Sequence, residues 1–244
     1  MKIYNTTSEA YLGIMADVMD NPEYICAPRG QKIKEILTYS VRILKPDPSP
    51  IITKDPARNI VIRSYTQKEL TWYLNGSNKV EDAVKISKFW GKIVNPDDKT
   101  INSNYGHLLF KDESEGHPQW SNEYVSPYEW AKNSLLQDKD SRQAIMRINK
   151  PCHSFANNRD FVCTMYLNFH IRDDQLHCAA KMRSSDIFTG IVYDWPFFIY
   201  VQSKLLLQLK RQYKDLKLGY FTFSTDSLHI YERNFDAINK MLGR

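Results

Sequence analysis

Apolar side chains recur at helical spacing in several stretches of the chain and predict its helices. In residues 8–19, Tyr11, Leu12, Met15 and Val18 fall on one face of such a helix. Further helices are predicted at residues 67–75, where Gly76 would end the helix, at 122–136, beginning near Pro127, and at 195–213, with a short final helix beyond residue 231.

Runs rich in β-branched and aromatic residues predict the strands. They cover residues 33–45, 143–149, 161–171, 175–183, 218–224 and 228–231. Arg172-Asp173-Asp174 predicts a hairpin turn, and the prolines of residues 45–50 predict a loop. Because helices and strands mix without regular β-α-β alternation, the pattern favours an α+β fold. The length of 244 residues, without internal repeats or a low-complexity linker, favours one domain over residues 1–244.

The composition is ordinary for a soluble globular protein, with 42% hydrophobic and 25% charged residues. A net charge of +5, from 33 basic and 28 acidic residues, suits an anionic small molecule such as a nucleotide. No block of like charges resembles a nucleic-acid-binding arm, and no apolar run of about eighteen residues predicts a membrane span. The N-terminal segment lacks the apolar stretch of a signal peptide, so the expected location is the cytoplasm.

The four cysteines, Cys26, Cys152, Cys163 and Cys178, form no C-x-x-C pair and no metal-ligand spacing. Reduced thiols and no bound metal are therefore expected. Cys163 lies in an apolar, β-rich run, where a cysteine is most often a small core residue. The residues that follow it along the chain give Cys163 a second interpretation.

Arg183-Ser184-Ser185-Asp186 follows Cys163 at a separation of 183 − 163 = 20 residues, and Gly190 and Asp194 come next. This block resembles the active-site block of the thymidylate synthase family. In that family a nucleophilic cysteine precedes an R-S-x-D motif by about this distance, and a polar residue that reads the base follows. Cys152, in Pro151-Cys152-His153, resembles the family's P-C-H segment, but it stands 31 residues before Arg183. We therefore take Cys163 as the nucleophile and Cys152 as a loop cysteine.

Other segments match the same family in the same order along the chain, over about two thirds of its length. They are Glu69-Leu70-Thr71-Trp72-Tyr73-Leu74 followed by Gly76, then Asn104-Tyr105-Gly106, Asp140-Ser141-Arg142 and His229-Ile230-Tyr231. Pro28-Arg29-Gly30 resembles the N-terminal phosphate loop, with its arginine displaced by one position. The resemblance implies a thymidylate synthase fold, with a large mixed β-sheet flanked by helices, and a homodimer.

The resemblance also implies the chemistry. The thiolate of Cys163 would add to C6 of a pyrimidine nucleoside monophosphate, and C5 would then attack the methylene group of 5,10-methylenetetrahydrofolate. Arg183 is the candidate cation that would favour the thiolate and hold the phosphate. Glu69 is the candidate general acid and base, acting through an ordered water, with Tyr105 as a second catalytic residue.

The remaining candidate residues divide by the part of the ligands that they would bind. The phosphate candidates are Arg183, Ser184, Arg29 and, across the dimer, Arg142. His229 and Tyr231 alternate on a strand and so share one face, from which they would reach the sugar. Asp186, Trp90 and Gly190 are the candidates for folate. Ordinary alternatives are a solvated helix glutamate for Glu69, core aromatic rings for Tyr105 and Trp90, and a half-buried strand pair for His229 and Tyr231.

Asp194 stands where thymidylate synthases have an asparagine. An ionised aspartate only accepts hydrogen bonds, which suits the amino group and the protonated N3 of an activated cytosine and opposes O4 of uracil. This substitution is typical of the deoxycytidylate hydroxymethylase branch of the family, whose phage members also resemble the segments around Ser103, Phe161 and Met182. The competing interpretation makes Asp194 the N-cap of a helix that begins at Trp195-Pro196.

Three departures from the family pattern also matter. Gln143 replaces the second arginine after Arg142, which would weaken the phosphate clamp, and Asn168 replaces a glutamine. The sequence after Gly243 lacks the apolar tail that closes over folate, so we expect a looser lid and hydration of the transferred group instead of reduction.

The sequence therefore predicts a folate-dependent cytidylate 5-hydroxymethylase with a preference for dCMP. It would be cytoplasmic, in the host cell if phage-encoded, and would bind neither nucleic acid nor membrane. Three alternatives stay open: an enzyme acting on CMP, a thymidylate or methylcytidylate synthase, and a catalytically silent relative that binds nucleotides or RNA.

Overall fold

A mixed β-sheet lies at the centre of the protein and is covered on one face by helices. The computed structural model describes residues 1–111 and 125–244. Within these residues the sheet has eight strands, β1 Lys2–Thr6, β2 Tyr24–Cys26, β3 Ile33–Lys45, β4 Ile145–Arg147, β5 Thr164–Arg172, β6 Gln175–Met182, β7 Ser185–Asp186 and β8 Lys217–Tyr231. The strand order is β1-β3-β8-β6-β5-β4, with β2 paired to β3 and β7 paired to β8.

Parallel and antiparallel pairs coexist in this sheet. β1 runs parallel to β3, and β6 and β7 run parallel to β8. β3 is antiparallel to β8, and β4, β5 and β6 form an antiparallel meander. The turn between β5 and β6 has Asp173 and Asp174 at φ 50° and 52°, the left-handed backbone that a two-residue hairpin turn requires. The predicted hairpin is thereby confirmed.

The helices of the described residues are α1 Thr7–Asp20, α2 Pro56–Asn75, α3 Val80–Ile86, α4 Trp90–Ile93, α5 Tyr105–Phe110, α6 Pro127–Gln137, α7 Val192–Leu209 and α8 Phe235–Leu242. α7 packs on β6 and β8, α1 on β3 and β8, and α6 on β5. Trp195 of α7 meets Phe221 and Phe223 of β8 edge to face, with centroid separations of 6.3 and 5.3 Å. These buried aromatic rings fill the space between the main helix and the sheet.

Several predicted elements have different limits in the structure. The helix predicted at 67–75 is α2, which begins at Pro56 because Asp55 caps the backbone N–H groups of Ala57 and Arg58. Its predicted end is right, since Gly76 adopts the left-handed conformation at φ 69°.

The strands predicted at 218–224 and 228–231 form one strand, β8, because pairing with β3 continues from Ile43 to Ile33. The strand predicted at 143–149 shortens to Ile145–Arg147. The predicted helix 122–136 corresponds to α6, although residues 122–124 lie outside the described residues. Strands β1 and β2 and helices α3, α4 and α5 carry too few residues for a clear periodic pattern.

None of the helices in the described part of the chain combines the length and the apolar character that a membrane span needs. The second face of the sheet carries polar and aromatic side chains. His177 and Tyr220 stack with their centroids 3.8 Å apart, and the guanidinium of Arg42 lies 4.0 Å from the Tyr220 ring. The two faces of the sheet therefore differ in chemistry.

Candidate active site

Cys163 lies immediately before β5, and Arg183 follows β6, so antiparallel pairing of the two strands brings them together. The backbone N–H of Arg183 donates to the carbonyl of Cys163 at 2.9 Å. The guanidinium of Arg183 also donates to the thiol sulfur, with Nη2 and Sγ separated by 3.3 Å. The twenty residues from Cys163 to Arg183 thus form one β-hairpin, and the two ends of this hairpin place the guanidinium beside the thiol.

The guanidinium of Arg183 is held in place by the chain just before Cys163. Nε donates to the carbonyl of Val162 at 3.1 Å, and Nη2 donates to the carbonyl of Phe161. The group also lies 4.4 Å above the Phe161 ring. Asp160 anchors the same segment by accepting hydrogen bonds from the backbone of Asn102 at 2.6 Å and Ser103 at 3.1 Å. The cation is therefore positioned before any ligand arrives.

Burial raises the pKa of the Cys163 thiol, and the neighbouring cation Arg183 acts against this rise. Asp194 and Asp160 raise the pKa further, whereas Arg29 lowers it. Arg29 sits in an exposed 3₁₀ turn, Pro28–Gly30, at φ 52°. Arg29 is therefore close enough for its charge to lower the pKa of the thiol.

Glu69 is buried on α2, with only 6% of its surface exposed. The Tyr65 hydroxyl, one helical turn earlier, donates to Glu69 Oε1 at 2.9 Å. Burial and the nearby Asp194 carboxyl raise the pKa of Glu69 to about 8, against hydrogen bonding by Tyr65 and Tyr73. The structure therefore contradicts the alternative in which Glu69 is a solvated residue on a helix surface. With this pKa, the Glu69 carboxyl gains and loses its proton near neutral pH.

Tyr105 begins α5 and lies against α2 because Gly106 permits close contact between the two helices. A Cβ atom at Gly106 would lie 1.9 Å from the carbonyl oxygen of Tyr73, so no other residue fits there. The Tyr105 ring packs 5.8 Å from Tyr73 and 5.9 Å from Phe198. Burial, with Asp194 and Cys163 nearby, raises the pKa of Tyr105 well above its usual range, so its hydroxyl keeps its proton.

Asp194 lies within the first turn of α7, two residues after the helix begins at Val192. The residue at the cap position is Ile191, so the N-cap interpretation of Asp194 is wrong. The reason is a π-helical turn, Ile187–Ile191, that runs directly into α7 and moves the helix start upstream. Burial and the Asp186 carboxyl raise the pKa of Asp194 to about 7.

Gly190, in the same π-helical turn, leaves room beside Asp194. A Cβ atom at this position would lie 3.3 Å from Asp194 Oδ2. Asp186 begins the turn, where its carboxylate accepts from the backbone of Phe188 at 3.0 Å and from the Thr189 hydroxyl. Two of the three predicted folate residues, Asp186 and Gly190, thus shape the turn that presents Asp194.

His229 and Tyr231 share one face of β8, with their rings 5.3 Å apart and perpendicular. Backbone pairing sets His229 between Glu35 of β3 and Asp186 of β7. The Ser227 hydroxyl donates to Glu35 Oε1 and lies 3.3 Å from His229 Nδ1. Because the hydroxyl has a single proton, Ser227 accepts from His229 Nδ1–H, which leaves Nε2 as an acceptor.

Two predicted phosphate residues lie in different places. Ser184 is half-buried in the short link between Arg183 and β7. Arg142 is exposed in the loop before the edge strand β4. β4 pairs with β5 so that Ile145 lies opposite Asn168, and Arg142 comes before Ile145, towards the end of β5 that is remote from Cys163. The structure therefore does not bring Arg142 to the thiol within one chain.

Sequence reasoning missed residues that lie next to the candidate site residues and position them. Tyr65 is hydrogen-bonded to Glu69 and Ser227 to His229, and Glu35 accepts from Ser227. None of the three matches a family segment. Tyr65 carries a usable signal, since i and i+4 residues meet on a helix and Glu69 was already a candidate. The contact between Ser227 and Glu35 depends on strand pairing that local pattern cannot predict.

The comparisons with known proteins agree with this fold. Thermostable thymidylate synthase A from Bacillus subtilis superposes with a TM-score of 0.68 at 19% identity, covering 98% of this chain and 85% of the other. The sequence model of the family described as thymidylate synthase matches residues 9–244. The protein has the α+β thymidylate synthase fold, and the chain belongs to the thymidylate synthase family.

Phage enzymes are among its relatives in sequence. The deoxycytidylate 5-hydroxymethyltransferases of Enterobacteria phages T4 and T2 are 33% identical over 185 residues, which is 72% of this chain and 70% of each relative. The deoxyuridylate hydroxymethyltransferase of Bacillus phage SP01 is 26% identical over 238 residues, 94% of this chain but only 58% of that relative. The protein is an enzyme of this family, a folate-dependent transferase.

Proposed function

We propose that the enzyme transfers a one-carbon unit from 5,10-methylenetetrahydrofolate to C5 of a cytidine monophosphate, dCMP by preference, and releases the 5-hydroxymethyl nucleotide. The observation that carries the proposal is the convergence on one site of the Cys163 thiol, with its Arg183 partner at 3.3 Å, and two carboxyl groups of raised pKa, Glu69 and Asp194. The phage relatives named as deoxycytidylate 5-hydroxymethyltransferases support the same choice of base.

In the first step, the sulfur of Cys163 bonds to C6 of the pyrimidine, and the electron pair of the C5–C6 double bond moves to C5. The nearby Arg183 guanidinium stabilises the attacking thiolate. C5 would then bond the methylene carbon supplied by folate, and loss of the C5 proton with cleavage of the bond between this carbon and the folate nitrogen would leave an exocyclic methylene on C5 and free tetrahydrofolate. Water would add to this methylene, and the electron pair returned to the ring would re-form the C5–C6 double bond and expel the Cys163 thiolate. The products are the hydroxymethyl nucleotide and tetrahydrofolate, and no hydride is consumed.

Glu69 is suited to the proton transfers. Its pKa of about 8 means that both protonation states are populated near neutral pH, which is the condition for efficient general acid and base catalysis. Tyr105 stays protonated and lies near Cys163 and Asp194, so it can donate a hydrogen bond while the adduct forms.

Asp194 would read the base. As a carboxylate it accepts from the cytosine amino group and from a protonated N3. The relative from Bacillus phage SP01 acts, by its name, on deoxyuridylate, and this makes uracil the second candidate base. Because the pKa of Asp194 is about 7, its protonated form could donate to O4 of uracil at lower pH.

The other predicted residues complete the proposed site. His229 would accept through Nε2 from a sugar hydroxyl, with Tyr231 beside it. Arg183, Ser184 and Arg29 would bind the phosphate, joined by Arg142 from a second copy of the chain in a homodimer. Asp186 and Gly190 would face folate. The whole chain would act as one catalytic domain in the cytoplasm.

One assay tests the proposal. The protein is incubated with 5,10-methylenetetrahydrofolate and, separately, with dCMP, CMP, dUMP or UMP, and the products are weighed by mass spectrometry. We expect hydroxymethyl product with dCMP above all, and tetrahydrofolate in equal amount. A stoichiometric rise in dihydrofolate absorbance would mean reduction to a methyl group and would contradict the proposal.

A further inference from the structure

We propose that Tyr65, held by Trp90, is a positioning residue that fixes the orientation and the proton affinity of Glu69. The inference rests on the proposed function insofar as Glu69 is the proton-transfer group. Its structural part, a directed chain of hydrogen bonds from Trp90 through Tyr65 to Glu69, concerns the protein alone and can be tested without turnover.

Two hydrogen bonds make the chain. Trp90 Nε1 donates to the Tyr65 hydroxyl oxygen at 3.1 Å, and this hydroxyl donates to Glu69 Oε1 at 2.9 Å. Tyr65 and Glu69 are four residues apart on α2 and therefore lie on the same side of the helix. Trp90 comes from α4, so the chain joins two separate helices.

The direction of the chain follows from the donors available. An indole N–H can only donate, so the Tyr65 oxygen must accept from Trp90. The Tyr65 proton is then directed to Glu69, and Oε1 is always the acceptor of that bond. The oxygen that accepts this bond is the less basic of the two, so the acidic proton of Glu69 favours Oε2.

Packing prevents these groups from turning away. The Tyr65 ring lies 4.4 Å from the Tyr193 ring, next to Asp194 in the sequence. The Trp90 ring lies 5.0 Å from Trp72, whose own Nε1 donates to the carbonyl of Ser77 at 2.6 Å. Side chains locked by packing and hydrogen bonds hold a reacting group in a narrow range of positions.

The same contacts bear on Trp90, which the sequence suggested as a folate residue. Only 7% of its surface is exposed, and its indole N–H is already bonded to Tyr65. A ring so enclosed offers little surface for stacking on a ligand. Trp90 therefore positions Tyr65, and Tyr65 in turn positions Glu69.

The chain should also tune Glu69. A hydroxyl that donates to a carboxylate favours the charged form and lowers the pKa, so Tyr65, together with Tyr73, opposes burial and the charge of Asp194, which both raise the pKa of Glu69. Without the Tyr65 hydroxyl, Glu69 should hold its proton up to a higher pH. A residue that only fills space would not change this titration.

The test uses Tyr65→Phe in the intact enzyme, with ¹³C-labelled glutamate and NMR titration of the Glu69 carboxyl, which Glu69→Gln identifies. We expect the Glu69 titration midpoint to rise by roughly one pH unit, the size expected for the loss of one neutral hydrogen bond. The part of the pH profile of kcat that reports the ionisation of Glu69 should shift to higher pH by the same amount. At neutral pH we expect kcat to fall about 10-fold, with the nucleotide KM changed less than about twofold.

The matched control is Tyr128→Phe. Tyr128 of α6 is also a buried helix tyrosine, and its hydroxyl donates at 3.2 Å to Gln208 in the last turn of α7, at the opposite end of that helix from Asp194. It should leave both the Glu69 titration and the pH profile unchanged. An unchanged Glu69 titration in Tyr65→Phe would overturn the proposal, whatever happens to its Tm.

Trp90→Phe gives a second, independent check. The Tyr65–Glu69 bond can persist in this variant, but its direction is no longer enforced, so we expect a smaller upward shift of the same titration. A raised KM for folate with an unchanged Glu69 titration would indicate that Trp90 binds folate, and it would contradict the proposal. Because the titration is measured without substrate, a protein lacking the proposed activity could still show the predicted shifts.

Discussion

Glu69 is buried and Cys163 and Asp194 are half-buried, and the charged neighbours of the thiol differ from those of the two carboxyl groups. Cys163 has the Arg183 guanidinium 3.3 Å from its sulfur, with the field of Arg29 added. Glu69 instead feels the negative charge of Asp194, and Asp194 that of Asp186. Burial raises the pKa of each group, yet only the thiol has cations that oppose the rise.

This contrast suggests a division of labour. A nucleophile must exist as an anion at the moment of attack, so a fixed cation beside it lowers the free-energy cost of that state. A proton-transfer group must instead gain and lose a proton near neutral pH, so an apolar surrounding and a like charge serve it better. Substitutions at the thiol and at the carboxyl groups test whether the two regions have these separate roles.

The largest effect is expected at the thiol. Cys163→Ser should abolish product formation while leaving the fold intact, because a hydroxyl is far less acidic than a thiol and cannot form the adduct at a useful rate. Product formation is measured with dCMP and 5,10-methylenetetrahydrofolate, and folding by circular dichroism. Cys152→Ser, in the exposed turn Pro151–His153, is the control and should stay active. Inactive Cys152→Ser beside active Cys163→Ser would reverse the assignment.

The next effect is expected at the proton-transfer group. Glu69→Gln keeps the shape of the side chain but cannot exchange a proton, so kcat should fall by about 10²–10⁴-fold. Nucleotide binding, measured by calorimetry, should change much less, since the proton transfer stabilises the transition state and not the bound nucleotide. A kcat close to that of the wild type would remove Glu69 from the mechanism.

The base preference should respond to Asp194. Asp194→Asn replaces one acceptor by a donor, so the ratio of kcat/KM for dCMP to that for dUMP should fall by roughly two to four decades. The same ratio in the wild type should decrease as the pH falls through about 7, where Asp194 gains a proton that can face O4 of uracil. If neither the substitution nor the pH changes the ratio, another residue reads the base.

The smallest effect concerns stability. The pKa of Glu69 is about 8 in the folded protein, against an ordinary value of 4.5. The fold thus favours the neutral form, and this contribution to stability is complete below the ordinary value and is lost as the pH rises through about 8. Glu69→Gln should therefore be more stable than the wild type at high pH, with a Tm difference that grows from about pH 5 to about pH 9. The exposed helix residue Glu81 offers the control, since Glu81→Gln should show no such trend.

Much of the fold was predictable because its signals are local. The limits of β3 and the end of α2 at Gly76 match the predictions, and so does the left-handed turn between β5 and β6. The start of α2 was missed although Asp55-Pro56 is a strong start signal, because its apolar residues are spread around the helix. The π-helical turn before Asp194 has no sequence signal, and it overturned the N-cap interpretation.

The sequence alone determined the family resemblance and the order of the motifs, and it predicts Cys163 instead of Cys152 as the nucleophile, because the spacing of motifs along the chain does not depend on folding. Only the tertiary structure decided which groups meet. Pairing between distant segments decides three features of the site. It brings Tyr65 to Trp90, places His229 between Glu35 and Asp186, and keeps Arg142 away from the thiol. Such contacts are fixed by strand register and helix packing, which bring together residues whose local sequence patterns are unrelated.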